Sequence, residues 1–121
     1  MVKKLLIGDD DVDIVEMLDF VLENIWIEII METDSRNLLK LITDVRPNLV
    51  LMDLRMPFLT RPQILENMRQ DSYLSLIPVL IMSAVPNGRE IAMAAGANGY
   101  IAKPFDIEHL LGRVKELILN I

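Results

Sequence analysis

A chain of 121 residues with no cysteine is sized for one domain, spanning residues 1–121, and neither disulfides nor thiolate metal sites are open to it. Its formal net charge is −6 and its basic residues are scattered, Lys3-Lys4 being the longest run; this argues against direct nucleic-acid binding, which needs clustered Lys and Arg. The opening apolar run, about four residues long, is too short for a signal peptide, and no stretch approaches the ~20 apolar residues that span a bilayer, so a soluble cytoplasmic protein without a membrane partner is expected.

In chain order, Lys3–Gly8 reads as a strand that runs directly into Asp9, Asp10 and Asp11. Residues 12–24 follow a helical pattern, with Ile14, Leu18, Val21 and Leu22 on one face and Asp13, Glu16, Asp19 and Glu23 elsewhere. Residues 26–31 make a second, less regular strand, in which Trp26 is expected to pack on the core or a sheet edge and Glu28 to blunt that edge. Leu38, Leu39, Ile42 and Val45 share a face of the next helix, which Pro47 closes. Leu49–Asp53 is a continuous apolar run ending in a carboxylate, the pattern of a strand covered on both faces. Thr60-Arg61-Pro62-Gln63 has the form of a capping box with proline in the tolerated first turn, which predicts a third helix from Thr60. Residues 78–83 give a fourth strand, ending at Ser83. Asn87-Gly88-Arg89-Glu90 is a weaker start signal for a short helix that Gly96 can end. Residues 100–102 form the last strand and lead to Lys103-Pro104; Asp106 then caps a final helix with Leu110, Val114, Leu117 and Ile118 on one face. His109, the single histidine, is expected on that helix as a solvated side chain.

Strand and helix alternate five times, which predicts an α/β domain with a parallel sheet and helices on both faces. In such sheets ligands sit outside the carboxyl ends of the strands. Those ends carry Asp9, Asp10 and Asp11, then Asp53, then Ser83, then Lys103. Two carboxylates about 4 Å apart repel by roughly 4 kcal/mol at an effective dielectric near 20, so a cluster of them calls for a cation. Oxygen-only ligands suit Mg²⁺, which takes one or two carboxylates and completes its shell with water and phosphate. Lys103 offsets one charge and can contact a phosphoryl oxygen, and Ser83 can hydrogen-bond another. Asp53, alone at its strand end, is the candidate nucleophile, since a carboxylate can attack phosphorus to give an acyl phosphate; the adjacent Asp9-Asp10 pair is better disposed to grip metal. The run from Asp9 to Asp13 also suits a plain helix start, because carboxylates favour helix N-termini.

The segments IGDDDVDI, LVLMDLRMP, PVLIMSA and AGANGYIAKPF resemble, in order and spacing and across the whole chain, the motifs of two-component response regulator receiver domains. The resemblance implies a stand-alone, chemotaxis-regulator-like (βα)5 flavodoxin-like domain, doubly wound, with strand order 2-1-3-4-5. It implies that Asp53 is the phosphoacceptor, fed by a histidine kinase, a histidine phosphotransfer protein or small phosphodonors. Asp10 and Asp53 would ligate Mg²⁺ directly, Asp9 mainly through water, and the carbonyl of Arg55 would complete the protein's ligands. Ser83 would be the switch hydroxyl, Tyr100 the switch aromatic, and Lys103 the lysine before a cis Pro104. The expected output is a change in the face formed by the fourth helix, fifth strand and fifth helix, read by a separate protein effector, with the chain a monomer or a phosphorylation-dependent dimer. Such a module catalyses its own phosphorylation and dephosphorylation without being a conventional turnover enzyme. Arg55 and Val85, two residues beyond Asp53 and Ser83, would border the path of the hydrolytic water, and their side chains imply slow phosphoryl loss.

Two departures stand out. Where the family usually continues with a Gly-x-Asp-Gly turn, this chain has Phe58-Leu59-Thr60-Arg61, and the stretch from Ser83 to Gly96 is about two residues short by resemblance, so the fourth helix should be short or irregular. They motivate an alternative, a phosphorylation-independent pseudo-receiver that only binds partners. A haloacid-dehalogenase-type phosphatase fits poorly, because its D-x-D form appears here only at Asp11-Val12-Asp13, which does not directly follow the strand.

Overall fold

The computed structural model describes residues 2–23, 27–55 and 62–119. Five parallel strands form one sheet in the order β2-β1-β3-β4-β5. They are β1 (Lys3–Gly8), β2 (Ile27–Glu32), β3 (Leu49–Asp53), β4 (Val79–Ser83) and β5 (Gly99–Ala102). The helices between and after them are α1 (Val12–Leu22), α2 (Ser35–Val45), α3 (Gln63–Gln70), α4 (Gly88–Ala94) and α5 (Ile107–Leu119), with a short 3-10 turn at Leu74–Leu76. This is the (βα)5 flavodoxin-like, doubly wound architecture expected from the alternation and the resemblance.

Side chains alternate across the sheet and divide the core in two. Leu5, Ile7, Leu49, Leu51, Leu80 and Met82 face α1 and α5, meeting Leu18, Leu22, Leu110, Val114 and Ile118. Leu6, Val50, Met52, Val79 and Ile81 face the other way, onto Leu38 and Ile42 of α2, Leu65 and Met68 of α3, and Ala92 of α4. Most of these are completely enclosed, and each leucine or isoleucine so buried contributes about 1.5–3 kcal/mol relative to exposure. The two outer strands are β2 and β5, and the less regular pattern of β2 reflects its edge position, with Glu28 and Met31 exposed.

The helix starts follow the capping rules at three places. Asp11 Oδ1 accepts from the N–H groups of Asp13 and Ile14, Asp34 Oδ1 from Arg36, and Asp106 Oδ1 from Glu108 and His109. Before Pro47, Arg46 adopts φ 52° and ends α2 with its N–H on the Ile42 carbonyl. Gly96, at φ 103°, follows α4 in a conformation that other residues adopt at a cost.

Three local expectations are corrected. The described part of α3 begins at Gln63, with Pro62 (ψ 59°) ahead of the helix rather than inside its first turn; the Pro62 carbonyl takes the first helical bond, from Glu66. Asn87 precedes α4 without a side-chain cap, since its ψ of 30° departs from the extended backbone that aims a capping oxygen. Helix α1 ends at Leu22, with Glu23 as its cap. The expected roles of Trp26, Thr60 and Arg61, the Phe58–Arg61 departure and the Asn24 boundary lie outside the described residues.

Candidate functional site

The parallel strands all present their carboxyl ends on one side, and the register aligns them. Gly8 pairs with Met52, Asp53 with Met82, and Ser83 with Ala102. Asp9, Asp53, Ser83 and Lys103 therefore reach the same rim from four adjacent strands.

At its centre is Lys103. Its Nζ donates to Asp9 Oδ2 at 2.8 Å and to Asp53 Oδ2 at 2.9 Å. Asp9 is fully buried; its Oδ1 accepts from Asp11 N–H at 2.9 Å, and its own N–H donates to the Glu32 carbonyl at the end of β2. Asp53 Oδ1 accepts from the N–H of Arg55, an exposed residue just beyond β3. Asp10 is exposed at the same rim.

Burial pushes the Asp53 carboxyl above its ordinary range; the bond and charge of Lys103 pull it down, and the Asp9 charge adds to the rise. For Lys103, burial alone would favour the neutral amine, but the bonds to Asp9 and Asp53 outweigh it and raise its pKa. One ammonium thus serves two carboxylates, with a third beside them. One oxygen from each of Asp9, Asp10 and Asp53 lies within 4.8 Å of the others. Among the described residues no other trio of potential ligands gathers in this way. The donor set is all oxygen and carries more negative charge than Lys103 neutralises, which fits a hard divalent cation such as Mg²⁺.

Ser83 ends β4 fully enclosed. Its hydroxyl accepts from Val85 N–H at 3.0 Å, and its carbonyl takes two donors, Lys103 N–H at 2.8 Å and the Tyr100 hydroxyl at 3.1 Å. The Tyr100 ring points inward and is only 8% exposed. The acidic run has been divided: Asp11 caps α1, while Asp9 and Asp10 stand with Asp53. The helix-start reading holds for Asp11, and Asp9 and Asp10 lie instead in the carboxylate cluster.

Two rim features have no counterpart in the sequence reading. An apolar cleft of about 480 Å³ opens beside Lys103, lined by Ile14, Met17, Ala84, Pro104, Phe105 and Ile107. A polar cavity of about 440 Å³ lies on the other side, between the Ser83–Pro86 turn, Arg89, Tyr100 and Lys103. Each forms where the loops beyond β4 and β5 meet neighbouring helices, a juxtaposition that periodicity does not predict. The Lys103-Pro104 bond is cis.

Comparisons with known proteins agree with this arrangement. The family model described as "Response regulator receiver domain" matches residues 5–115. The DNA-binding response regulator MtrA of Mycobacterium tuberculosis H37Rv is 30% identical over 117 residues, covering 95% of this chain and 50% of that protein. The chain spans about half the length of the curated relatives it matches. A putative response regulator from Chloroflexus aurantiacus superposes with a TM-score of 0.90 at 28% identity, over 98% of this chain and 99% of that one. The receiver domain of the sensor histidine kinase PA1611 from Pseudomonas aeruginosa, solved with a magnesium ion coordinated in its active-site cleft, gives a TM-score of 0.86 at 22% identity, over 98% of each chain, a likeness of fold.

Proposed function

Because the chain belongs to the response regulator receiver domain family, we propose that it works as a phosphorylation-driven switch of a two-component system or phosphorelay, with Asp53 as phosphoacceptor. The observation that carries this reading is the double bond of Lys103 Nζ to Asp9 and Asp53, with Asp10 beside them. A carboxylate oxygen of Asp53 attacks phosphorus of a phosphohistidine; the P–N bond breaks, its electron pair stays on the imidazole, and an aspartyl phosphate forms. Asp10, Asp53 and the Arg55 carbonyl are the residues assigned to hold Mg²⁺, with Asp9 acting mainly through water. When bound, the ion supplies charge stabilisation for the spread negative charge of the transferring group.

The chain's own groups do the rest. Lys103 already lies within hydrogen-bond reach of Asp53, so it can follow a phosphoryl oxygen with little movement. The Ser83 hydroxyl accepts from Val85 N–H and keeps its own proton to donate to a phosphoryl oxygen, so that bond to the turn can persist while it moves toward the group. Tyr100 links the Ser83 carbonyl to α4 and so couples the site to the output face of α4, β5 and α5. A donor that brings phosphorus to Asp53 must touch the rim, and the apolar cleft beside Lys103 offers a dry surface for a histidine kinase or histidine phosphotransfer protein. No described helix is long and apolar enough to cross a membrane.

Mass spectrometry of protein treated with acetyl phosphate tests this directly. A single phosphoryl adduct that needs Mg²⁺ and disappears in Asp53→Asn is expected. Wild type that stays unmodified, with no Mg²⁺ binding by calorimetry, would instead indicate a phosphorylation-independent pseudo-receiver.

A further inference from the structure

Tyr100 stands where the site meets α4, and three contacts seat it there. Its hydroxyl donates to the Ser83 carbonyl at 3.1 Å. The guanidinium of Arg89 lies 5.3 Å from its ring centroid, within the range of cation–π attraction. The third contact is a space. Gly88, buried in the first turn of α4, has no side chain, and a Cβ built there would strike the Tyr100 hydroxyl oxygen and lie 3.0 Å from Cε1 and Cζ.

Nothing else requires glycine at this position. The one glycine with positive φ is Gly96, and within a helix glycine is a poorer former than alanine. Helix α4 has only seven residues, so a weak residue in its first turn is a real cost to a short element. Room for the phenol ring is the remaining physical reason. None of the three contacts involves Asp53.

We propose that Gly88 and Arg89 are positioning residues that keep Tyr100 inward whether or not Asp53 is phosphorylated. The ring is then a fixed strut between the Ser83 turn and α4 rather than a side chain that swings. When Ser83 shifts toward a phosphoryl group, the Tyr100 hydroxyl follows the Ser83 carbonyl, and the ring, seated against Gly88, pushes or draws the first turn of α4. That consequence rests on the phosphoacceptor reading of Asp53; the seating of the ring does not.

Fluorine NMR of the full chain labelled with fluorotyrosine tests it. The sequence has two tyrosines, so two lines appear, and Tyr73→Phe assigns them. The line of Tyr73, which is 59% exposed, should shift fully between H₂O and D₂O, and that of Tyr100 hardly at all. Adding BeF₃⁻ with Mg²⁺ should leave the Tyr100 solvent shift unchanged. Gly88→Ala should raise that shift toward the Tyr73 value, with a cooperative thermal transition showing that the chain still folds. Arg89→Ala should raise it partway, and Arg89→Lys should return it toward wild type. A wild-type Tyr100 line as solvent-sensitive as that of Tyr73, or one that becomes protected only with BeF₃⁻, overturns the proposal, as does a Gly88→Ala spectrum identical to wild type. The same spectra report bound beryllofluoride. If that signal is missing, the phosphoacceptor reading fails, while the ligand-free Gly88→Ala comparison still decides how the ring is held.

Discussion

Lys103 meets the wholly enclosed carboxylate of Asp9 at 2.8 Å, and it is the cation that makes burial of that charge tolerable. Removing one partner of a buried ion pair costs about 3–5 kcal/mol, because the other charge is left behind. Lys103→Met should therefore lower stability in metal-free neutral buffer by about 3 kcal/mol, toward the lower end because the lysine is partly exposed. Added Mg²⁺ should return part of the loss. Urea unfolding with and without the ion measures both effects.

Asp53 gives the opposite sign. Its carboxyl is raised in the folded chain, chiefly by burial, so the ionised form is favoured less in the fold than in the unfolded chain. Stability from this group is present below its ordinary pKa of 3.8 and is lost as pH rises through the raised value. Asp53→Asn should then be more stable than wild type at neutral pH without metal. The advantage should shrink as pH falls toward 4 or so, and parallel denaturation curves across that range would show it.

Asp10 and Asp11 are neighbours in different settings, Asp11 at the cap of α1 and Asp10 in the carboxylate cluster. Asp11→Ala removes the cap of α1 and should cost about 1 kcal/mol, with Mg²⁺ affinity little changed. Asp10→Ala should leave the melting temperature near wild type and abolish calorimetric Mg²⁺ binding. Reversal of the two outcomes would exchange the assignments.

Arg69 ties α3 to two other segments, residues 75–77 and 96–98. Its guanidinium donates to the carbonyls of Gly96, Ser75 and Ile77 and to Asn98 Oδ1. Asn98 Oδ1 also accepts from Val79 N–H at the start of β4. Hydrogen bonds to a charged group are worth about 1.5–3 kcal/mol each, though not additively. Arg69→Ala should destabilise the chain by about 3 kcal/mol or more. Arg69→Lys should recover little, because an ammonium lacks the planar fork.

If Asp53 accepts a phosphoryl group as proposed, the lifetime of the resulting aspartyl phosphate offers another measurement. Arg55 and Val85 flank the acceptor and the Ser83 turn, and neither side chain can activate water: one is cationic, the other apolar. Slow loss is expected, with Val85→Glu accelerating it. A lifetime of seconds that Val85→Glu leaves unaltered would count against this.

Much of the fold was legible because its strands are short apolar runs with polar ends: Leu49–Asp53 and Lys3–Gly8 carry their boundaries in the sequence. The site was legible for the same reason, since parallel topology gathers whatever follows those runs. What stayed hidden depends on three-dimensional neighbours. Gly88 reads as part of a helix start, and only the ring of Tyr100 against it explains the glycine. Arg69 carried no signal in the sequence, because its acceptors lie up to 29 positions away. Asn87 and Pro62 mimic capping signals that the local backbone angles do not use.

The bond from Asp9 N–H to the Glu32 carbonyl carries the β1–β2 ladder one step past its last pair, Gly8 with Glu32, into the acidic turn itself. The outermost strand is thereby a tether for the chemistry. Breathing of that margin would loosen the carboxylate cluster before the core felt it, so amide exchange at Asp9 becomes a gauge of how firmly the cluster is moored.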